Sequence, residues 1–481
     1  MNFRLIFNIL GKALILESIF LLLSMCVGFI YSEGNFLCFL IPILILILVG
    51  VPLTCLKVKN KILYVKEGMV TVAFVWVVFS LIGALPFVIS KEIPFYIDAL
   101  FETISGFTTT GASIMENVEI MSKSTMFWRV FTHWIGGMGI LVFVLAFLPE
   151  NSGIMHIFSA EAPGPSSSKF VSRIKHTARI LYLIYIALSF IELIMLLCGG
   201  LSFYDSCLVT FATAGTGGFT RFSNSISHFN SVYIEMVVAC FMFIFGINFN
   251  FFILVLTGNF LKAIKSEEFR TYLILVVSAT LIIAINLIGQ IENFGQAIRY
   301  SFFQVTSISS TTGFITADFN SWPALSKGII LVLMIIGASG GSTGGGLKVS
   351  RFVILIKSAL ADLRRSTNPR ILLAVRFERK PLAKATERSV RTFFLLYIFI
   401  IISSTLLLCF DSFGGQNILT HLSASMTCIS NVGPGLNAIG PVGSFAGYSV
   451  FSKSILSCVM LAGRLEIFPI LILFSTRTWK K

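Results

Sequence analysis

Residues 104–111 read ISGFTTTG, and this short run of small and hydroxyl residues ending in a glycine sets the organisation of the whole chain. Related stretches end at three later glycines, as FATAGTGG at Gly218, SISSTTG at Gly313 and CISNVG at Gly433. The glycines recur roughly every 100 residues, and a recurring period is the signature of a repeated structural unit. The chain therefore contains four divergent copies of one unit.

Long apolar runs flank each of these stretches. Hydrophobic residues make up 56% of the 481-residue chain and charged residues 12%, far below the roughly 25% of a soluble domain. About 20 apolar residues suffice for one membrane-spanning helix. Ten candidate spans result, at residues 13–31, 36–56, 69–90, 126–148, 177–198, 231–261, 271–291, 328–360, 392–410 and 450–474. The sequence predicts an all-α polytopic membrane protein.

The segments that carry the glycine stretches are of a different kind. They are rich in Ser, Thr and Gly and too polar at their ends to cross a bilayer, so they are predicted to be re-entrant loops. From residue 69 onward the order is helix, re-entrant pore loop, helix, repeated four times around a pseudo-fourfold pore. The first two spans form an N-terminal extra helix pair. The predicted divisions are residues 1–66 for that pair, then repeats at 67–150, 151–262, 263–365 and 366–481.

Irregular backbone at membrane depth is stable only where protein buries it or where it lines a watery cavity. Four such loops around one axis would surround a path with carbonyl oxygens, and such a ring can replace the hydration shell of a potassium ion. Glycine allows the backbone angles that this arrangement demands. A single Thr-Thr-Gly is more often an ordinary turn, so the prediction depends on the four copies together.

Basic residues indicate the orientation. The net charge is +14, and residues 348–391 alone contain twelve Lys or Arg. The loops richest in Lys and Arg fall on one side if the N-terminus is cytoplasmic, as the positive-inside rule requires. Topology thus accounts for most of the charge that would otherwise suggest nucleic acid as a partner, although a docking surface for an acidic partner stays open.

Two features of the later spans depart from an ordinary apolar helix. Residues 340–346 read GGSTGGG, which cannot hold a straight helix, so we expect a kinked segment bordering a cavity; the alternative is a helix-packing face of small residues. Arg464 lies deep in an apolar run, where a cation is costly unless it meets water or a partner. Pairing with Glu466 is disfavoured, because residues two apart do not share a helical face. Lys348 is predicted to be an interfacial anchor.

Other candidate chemistry is weak. The nine cysteines fall mostly in apolar runs without a C-x-x-C pair, which indicates packing. His133 is predicted to lie near the outer interface, and the outer carboxylates, Glu102 among them, to be solvated. The spans contain no H-E-x-x-H, which argues against an intramembrane metalloenzyme, and no G-x-G-x-x-G nucleotide fingerprint follows a strand.

The motifs taken together resemble those of the Trk/Ktr/HKT superfamily of potassium transporters, and specifically its TrkH-type membrane subunit. They span almost the whole chain. They are FTTTGAS from Phe107, HWIGGMGI from His133, TGGF from Thr216, SSTTGF from Ser309, GASGGSTGGGLK from Gly337, SNVGPG from Ser430 and GRLEIFP from Gly463. The N-terminal pair also fits this subunit.

The resemblance implies potassium uptake across the bacterial inner membrane by a homodimer, with K⁺ as the transported ion and no organic cofactor. A separate cytoplasmic nucleotide-binding subunit of TrkA type would regulate it. A less selective path for Na⁺ and K⁺ is the alternative, since two of the loops depart from Thr-Thr-Gly. The implied ion-binding residues are Thr109, Thr110, Gly111, Thr216, Gly217, Gly218, Thr311, Thr312, Gly313, Asn431, Val432 and Gly433. The implied gating residues are Gly340, Gly341, Ser342, Thr343, Gly344, Gly345, Gly346 and Arg464.

Overall fold

The computed structural model describes residues 1–58, 64–139, 174–291, 293–368 and 373–479. This described part consists of helices and one small hairpin, formed by β1 (Arg376–Phe377) and β2 (Lys380–Pro381). The all-α class predicted from the apolar runs is confirmed. The hairpin is a local turn of the chain between two helices and adds no layer to the fold.

The N-terminal pair consists of α1 (Phe3–Ile30) and α2 (Leu37–Thr54). Small residues let the two helices approach closely: a Cβ built on Gly11 would lie 2.8 Å from the backbone oxygen of Gly50. On the surface of α2, Leu44 and Leu48 are 57% and 76% exposed. An apolar surface of this kind is stable against lipid.

Glu33, in the loop after α1, attaches this pair to the first repeat. Its carboxylate accepts hydrogen bonds from the backbone N–H groups of Lys123 (2.6 Å) and Ser124 (3.0 Å), at the start of the helix that begins at Lys123. The hydroxyl of Ser124 donates to the same carboxylate. A negative charge at a helix N-terminus satisfies unpaired N–H groups and complements the helix dipole.

Each repeat contains a long helix, a short helix, a glycine turn and a second helix. In the first repeat these helices are α3 (Val65–Gly83), which continues into α4 (Leu85–Ile89), then α5 (Tyr96–Phe107) and α6 (Lys123–Gly137). The span predicted at 126–148 corresponds to α6 as far as Gly137. Residues 140–148, and the predicted boundary between 150 and 151, lie outside the described residues.

The later repeats follow the same order. The second has α7 (Ile174–Cys198), α8 (Phe203–Gly215), α9 (Val232–Phe245), α10 (Phe249–Leu256) and α11 (Phe260–Ile264). The third has α12 (Glu267–Asn286), α13 (Phe294–Ser309), α14 (Ala324–Ile336) and α15 (Val349–Thr367). The fourth has α16 (Lys384–Leu408), α17 (Ile418–Ser430), α18 (Val450–Arg464), α19 (Phe468–Phe474) and α20 (Thr476–Trp479).

Three runs predicted as single spans are broken helices. The run at 231–261 bends by 90° between α9 and α10. The run at 328–360 is interrupted between Ile336 and Val349, and that at 450–474 breaks after Arg464, where Glu466 and Ile467 both have positive φ. The small residues at 340–346 indicate the second of these breaks, but apolar composition does not reveal the other two, because broken segments buried in protein are as apolar as continuous ones.

Six of the described helices are long and apolar enough to cross a bilayer, and the bent pair α9–α10 would make a seventh. The short helices α5, α8, α13 and α17 are instead enclosed by the others, and their last turns are buried. The protein is therefore a multi-pass membrane protein whose short helices end inside it, where the glycine turns begin.

Candidate functional site

The four glycine turns share one backbone geometry. We call residues 108–111, 215–218, 310–313 and 430–433 turns 1 to 4. Every final glycine has a positive φ: +78° at Gly111, +79° at Gly218, +86° at Gly313 and +97° at Gly433. The residue two positions earlier is also left-handed, with φ of 54° at Thr109, 54° at Thr216, 63° at Thr311 and 55° at Asn431. The turns are thus equivalent in conformation despite their different sequences.

Matching hydrogen bonds hold each turn against the end of its short helix. The N–H before each glycine donates to a carbonyl five residues upstream: Thr110 to Ser105 (2.9 Å), Gly217 to Ala212 (2.9 Å), Thr312 to Ser307 (2.8 Å) and Val432 to Thr427 (3.0 Å). This bond is the longer of the two in a Schellman cap, which usually places glycine at the left-handed position. Thr or Asn at that position costs roughly 1 kcal/mol relative to glycine.

The turns close a ring in chain order. A Cβ added to Gly111 would overlap the backbone oxygen of Gly217 in turn 2, and one added to Gly218 would overlap that of Thr312 in turn 3. One on Gly313 would overlap the oxygen of Val432 in turn 4, and one on Gly433 would lie 2.7 Å from the oxygen of Thr110 in turn 1. Each glycine therefore lies against the carbonyl that precedes the next glycine, with no room for a side chain.

Two cavities lie on opposite sides of this ring. The first, of about 100 Å³, is lined by all four glycines and by residues that follow them; we call this the mouth side. The second, of about 60 Å³, is lined by Gly341, Gly344, Gly345, Gly346 and Arg464, among others; we call this the base side. The ring therefore separates two spaces, and the interruption between α14 and α15 borders the second.

The glycine-rich segment, residues 337–348, lies directly against the base of the ring. The N–H of Gly345 donates to the hydroxyl of Thr311 in turn 3 at 2.8 Å. A Cβ on Gly345 would overlap the backbone oxygen of Ser430 in turn 4. At its start, the N–H of Gly340 donates to the buried carboxylate of Glu268 at 2.6 Å. The segment is non-helical and borders a cavity, as its composition predicts.

Arg464 joins three separate elements. Its guanidinium donates to the hydroxyl of Thr109 in turn 1 at 3.1 Å and to the backbone oxygen of Thr343 at 2.7 Å. It also donates to the backbone oxygens of Gly136 and, at 2.8 Å, Gly137 at the end of α6. The structure thus places this arginine beneath turn 1 and against the glycine-rich segment.

Lys348 is not the interfacial anchor that its position suggested. It is 7% exposed, and its Nζ lies 3.5 Å from the carboxylate of Glu466. Arg351 pairs with the same carboxylate and lies over the ring of Phe393. Two cations that enclose one buried carboxylate are stable because each charge has a partner. This cluster connects the end of the glycine-rich segment to the break after α18.

Glu102 and Arg129 form a buried ion pair that the sequence did not reveal. Glu102 is 1% exposed, not solvated, and its carboxylate lies 2.7 Å from Nε of Arg129. The N–H of Ile114, three residues after turn 1, donates to the same carboxylate at 2.9 Å, and Arg129 also donates to the backbone oxygen of Thr220 after turn 2. Removing one partner would leave the other charge buried and unpaired, at a cost of about 3–5 kcal/mol, and the hydrogen bonds of the pair hold the residues that follow turns 1 and 2.

Of the buried charged side chains near the ring, Arg129, which contacts the residues after turns 1 and 2, and Glu268, which contacts the glycine-rich segment, were missed. Arg129 lies near the start of the apolar run at residues 126–148, a usual place for an interfacial cation. Glu268 follows a basic loop and resembles the ordinary acidic first turn of a helix. No local pattern distinguishes either residue from a solvated one, because their partners lie far away in the sequence.

Comparison with known proteins agrees with this architecture. Residues 38–481 match the family model TrkH, described as a cation transport protein. The Trk system potassium uptake protein TrkH of Escherichia coli (strain K12) is 33% identical over 490 residues and all of both chains, and TrkG of the same strain is 31% identical over 99% of each. The crystal structure of the potassium transporter TrkH from Vibrio parahaemolyticus covers all of both chains with a TM-score of 0.89 and 30% identity.

Fold and site thus define a multi-pass helical membrane protein in which four glycine turns close one ring. The chain belongs to the TrkH family of cation transport proteins.

Proposed function

We propose that this protein takes up potassium ions through the ring of glycine turns. One observation supports this proposal above the others: the four turns contact one another in a closed ring. In each contact the glycine of one turn packs against the carbonyl that precedes the glycine of the next turn. Main-chain oxygens gathered in this way suit a weakly hydrated monovalent cation. The short helices add to this, because the carboxyl ends of helices carry partial negative charge and all four end at the ring.

The proposed ion-binding residues are the last three of each turn. Their backbone and hydroxyl oxygens would replace water around the ion as it passes. They are Thr109, Thr110 and Gly111; Thr216, Gly217 and Gly218; Thr311, Thr312 and Gly313; and Asn431, Val432 and Gly433. The divisions between repeats proposed from the sequence, with the N-terminal pair at 1–66, assign one turn to each repeat.

The proposed gate consists of residues 340–346 and Arg464. The segment lies under turns 3 and 4, and the guanidinium connects it to turn 1. The fixed positive charge of the arginine at the base of the path repels a passing cation. This repulsion is stronger in a site with little water, where the dielectric constant is low. Displacement of the segment, together with the arginine, would open the path.

Reconstituted flux tests the function directly. In liposomes with K⁺, Rb⁺ or Na⁺ gradients at fixed voltage, we expect uptake of K⁺ and Rb⁺ and much slower uptake of Na⁺. The alternative, a less selective Na⁺ and K⁺ path, is favoured by turns 2 and 4, which lack Thr-Thr-Gly and use Gly217 and Asn431 instead. Equal rates for Na⁺ and K⁺ would support that alternative, and an absence of any cation flux would contradict both.

We further propose a homodimer in the bacterial inner membrane, with the N-terminus and the base side cytoplasmic. Exposed basic residues support docking of an acidic partner, by family resemblance a nucleotide-binding subunit of TrkA type. Five such residues lie in and beside the β1–β2 hairpin: Arg376, Arg379, Lys380, Lys384 and Arg388. The hairpin contacts the base side through Glu378, which accepts hydrogen bonds from Ser266 and from the N–H of Glu268.

Affinity capture from the native membrane with a cytosolic extract tests this docking. We expect a nucleotide-binding protein to be retained, and retention to fall when Arg379 and Lys380 are both changed to Glu. The matched control is Lys91→Glu, an exposed lysine beside Glu92, whose carboxylate binds the start of α6 on the mouth side. Equal retention by both variants would exclude the hairpin as the docking site, and no retained protein would remove the proposed partner.

A further inference from the structure

His133 lies in the interior, against the turns, and not at the outer interface as its position suggested. It is 0% exposed and stands one helical turn before the end of α6. Its Nδ1 lies 2.7 Å from the backbone oxygen of Gly106, and its Nε2 lies 3.2 Å from the backbone nitrogen of Phe219. Both ring nitrogens are therefore engaged by main-chain groups.

These partners define the state of the imidazole. The carbonyl of Gly106 can only accept, so Nδ1 carries the hydrogen and donates it. The N–H of Phe219 can only donate, so Nε2 presents its lone pair. A neutral ring with this tautomer satisfies both groups, while the opposite tautomer or a protonated ring satisfies at most one. The tautomer is thus assigned from the hydrogen-bond partners.

The two bonds connect adjacent turns of the ring. The carbonyl of Gly106 also accepts the N–H of Thr109, at 3.1 Å, and so anchors turn 1. Phe219 directly follows Gly218, the last residue of turn 2. Turn 2 also packs directly against the imidazole ring of His133, because a Cβ on Gly217 would overlap its atoms. One side chain therefore sets the separation between turn 1 and turn 2.

The fourth repeat provides an internal comparison. A Cβ on Gly136 would overlap the backbone oxygen of Phe107, four residues before Gly111; one on Gly463 would overlap that of Ile429, four residues before Gly433. The helices α6 and α18 thus present matching glycines to matching carbonyls. Three residues before Gly463 stands Met460, whose side chain offers no nitrogen. The junction of turns 4 and 1 is instead linked by Asn431, whose Nδ2 donates to the hydroxyl of Thr110 at 2.9 Å and to the backbone oxygen of Met460 at 3.0 Å.

A buried ion pair also lies beside the hydrogen bond from Phe219 to His133. Arg129 lies one helical turn before His133, with its guanidinium 3.6 Å from the centroid of the Phe219 ring, and it is paired with Glu102. The imidazole and Phe219 rings themselves lie 4.2 Å apart between centroids. Two side chains on one face of α6 therefore contact Phe219: His133 accepts its N–H, and Arg129 lies over its ring.

We propose that His133 is a positioning residue that fixes the spacing of turns 1 and 2 and thereby contributes to discrimination between K⁺ and the smaller Na⁺. The inference rests on the proposed function, since it assigns a specificity role within the same ring. A ring of oxygens prefers K⁺ as long as it does not adapt to a smaller ion, and a link that resists movement of two adjacent turns limits that adaptation.

Three substitutions separate the two hydrogen bonds. His133→Phe retains a ring but loses both bonds. In His133→Asn the side-chain amide lies as far from the backbone as Nδ1 does, so it can hydrogen-bond to the carbonyl of Gly106. In His133→Gln the amide reaches as far as Nε2 and can accept the N–H of Phe219. In reconstituted flux, we expect the K⁺ to Na⁺ rate ratio to fall about five- to tenfold in the Phe variant, because both hydrogen bonds to the turns are lost. We expect Gln to restore part of the ratio and Asn to restore less.

His421→Phe is the matched control. His421 is also buried, at 1% exposed, and its Nδ1 lies 3.1 Å from the hydroxyl of Tyr448. We expect its ratio to equal that of the unmodified protein. Binding is measured in parallel, as the shift of the melting temperature of detergent-purified protein by KCl and by NaCl, so that a variant with low flux still reports its preference.

The outcomes are distinct. An unmodified protein without K⁺ uptake would contradict the proposed function. An unmodified protein that prefers K⁺, with all three variants showing the same preference, would overturn the positioning role alone. So would loss of K⁺ binding in all three variants with a normal His421→Phe, because a positioning residue changes the preference between ions and leaves binding of K⁺ in place.

Discussion

Substitution of serine for Gly313 is expected to lower K⁺ uptake by about 100-fold, the effect of about 3 kcal/mol on ion binding. Gly313 has a φ of +86°, which serine resists, and a Cβ there would overlap the backbone oxygen of Val432 and lie 2.8 Å from Cδ of Pro434. Neither atom can move independently, since Val432 belongs to turn 4 and Pro434 directly follows that turn. The ring would therefore open at the junction of turns 3 and 4, next to the proposed ion-binding oxygens.

Gly328→Ser is the control for this experiment. Gly328 lies on α14 of the same repeat, and a Cβ there meets no atom within 4 Å. Flux of the control is expected to stay within about twofold, because exposed substitutions away from special features change stability little. Normal K⁺ flux and normal exclusion of Na⁺ by Gly313→Ser would argue against ion passage through the ring and would favour a structural role for the turns.

Substitution of alanine for Arg464 is expected to have the opposite sign and to raise the K⁺ flux about tenfold. Removal of the guanidinium eliminates a positive charge below the ring, and about 1.4 kcal/mol of lost repulsion corresponds to that factor. It also releases the backbone oxygen of Thr343, so the glycine-rich segment loses its connection to turn 1. The measurement is initial ⁸⁶Rb⁺ uptake per reconstituted protein, after size-exclusion chromatography has verified folding.

Arg464→Lys distinguishes charge from tethering. Lysine retains the positive charge but cannot reproduce the forked contacts of the guanidinium to Thr109, Thr343 and the end of α6. Flux near that of the unmodified protein would assign the block to charge, and flux near that of the Ala variant would assign it to the tether. Arg221→Ala, which removes an arginine paired with Asp205 at 3.1 Å, controls for loss of any arginine. A folded Arg464→Ala variant with reduced flux would contradict a gating role.

The broken helices differ from what apolar composition predicts. Apolar composition correctly indicates membrane segments at residues 231–261 and 450–474, but a hydropathy window averages over Asn248 and over Ile467, where the chain turns. Only residues 340–346 were expected to be irregular, because seven small residues in succession leave no helix-forming side chain. A single break residue within an apolar run provides no comparable signal.

The side chains around the ring show the same limit. Lys348 and His133 were both expected at an interface, since a lysine at the end of an apolar run and a histidine near the start of one usually reach water. In the folded chain Lys348 meets Glu466, and His133 meets Gly106 and Phe219. These partners are 27 to 118 residues away along the chain, so no local pattern could have identified them.

The amino-acid sequence alone determined that this protein is a membrane protein, that it repeats one unit four times, and where each glycine turn lies. Those properties are local: they depend on runs of apolar residues and on glycine at positions where a side chain is not tolerated. Tertiary structure decided the order of turns around the ring, the seating of the glycine-rich segment against it, and the partners of each buried charge. These depend on contacts between distant segments, and a buried charge is stable only beside the partner that the fold brings to it.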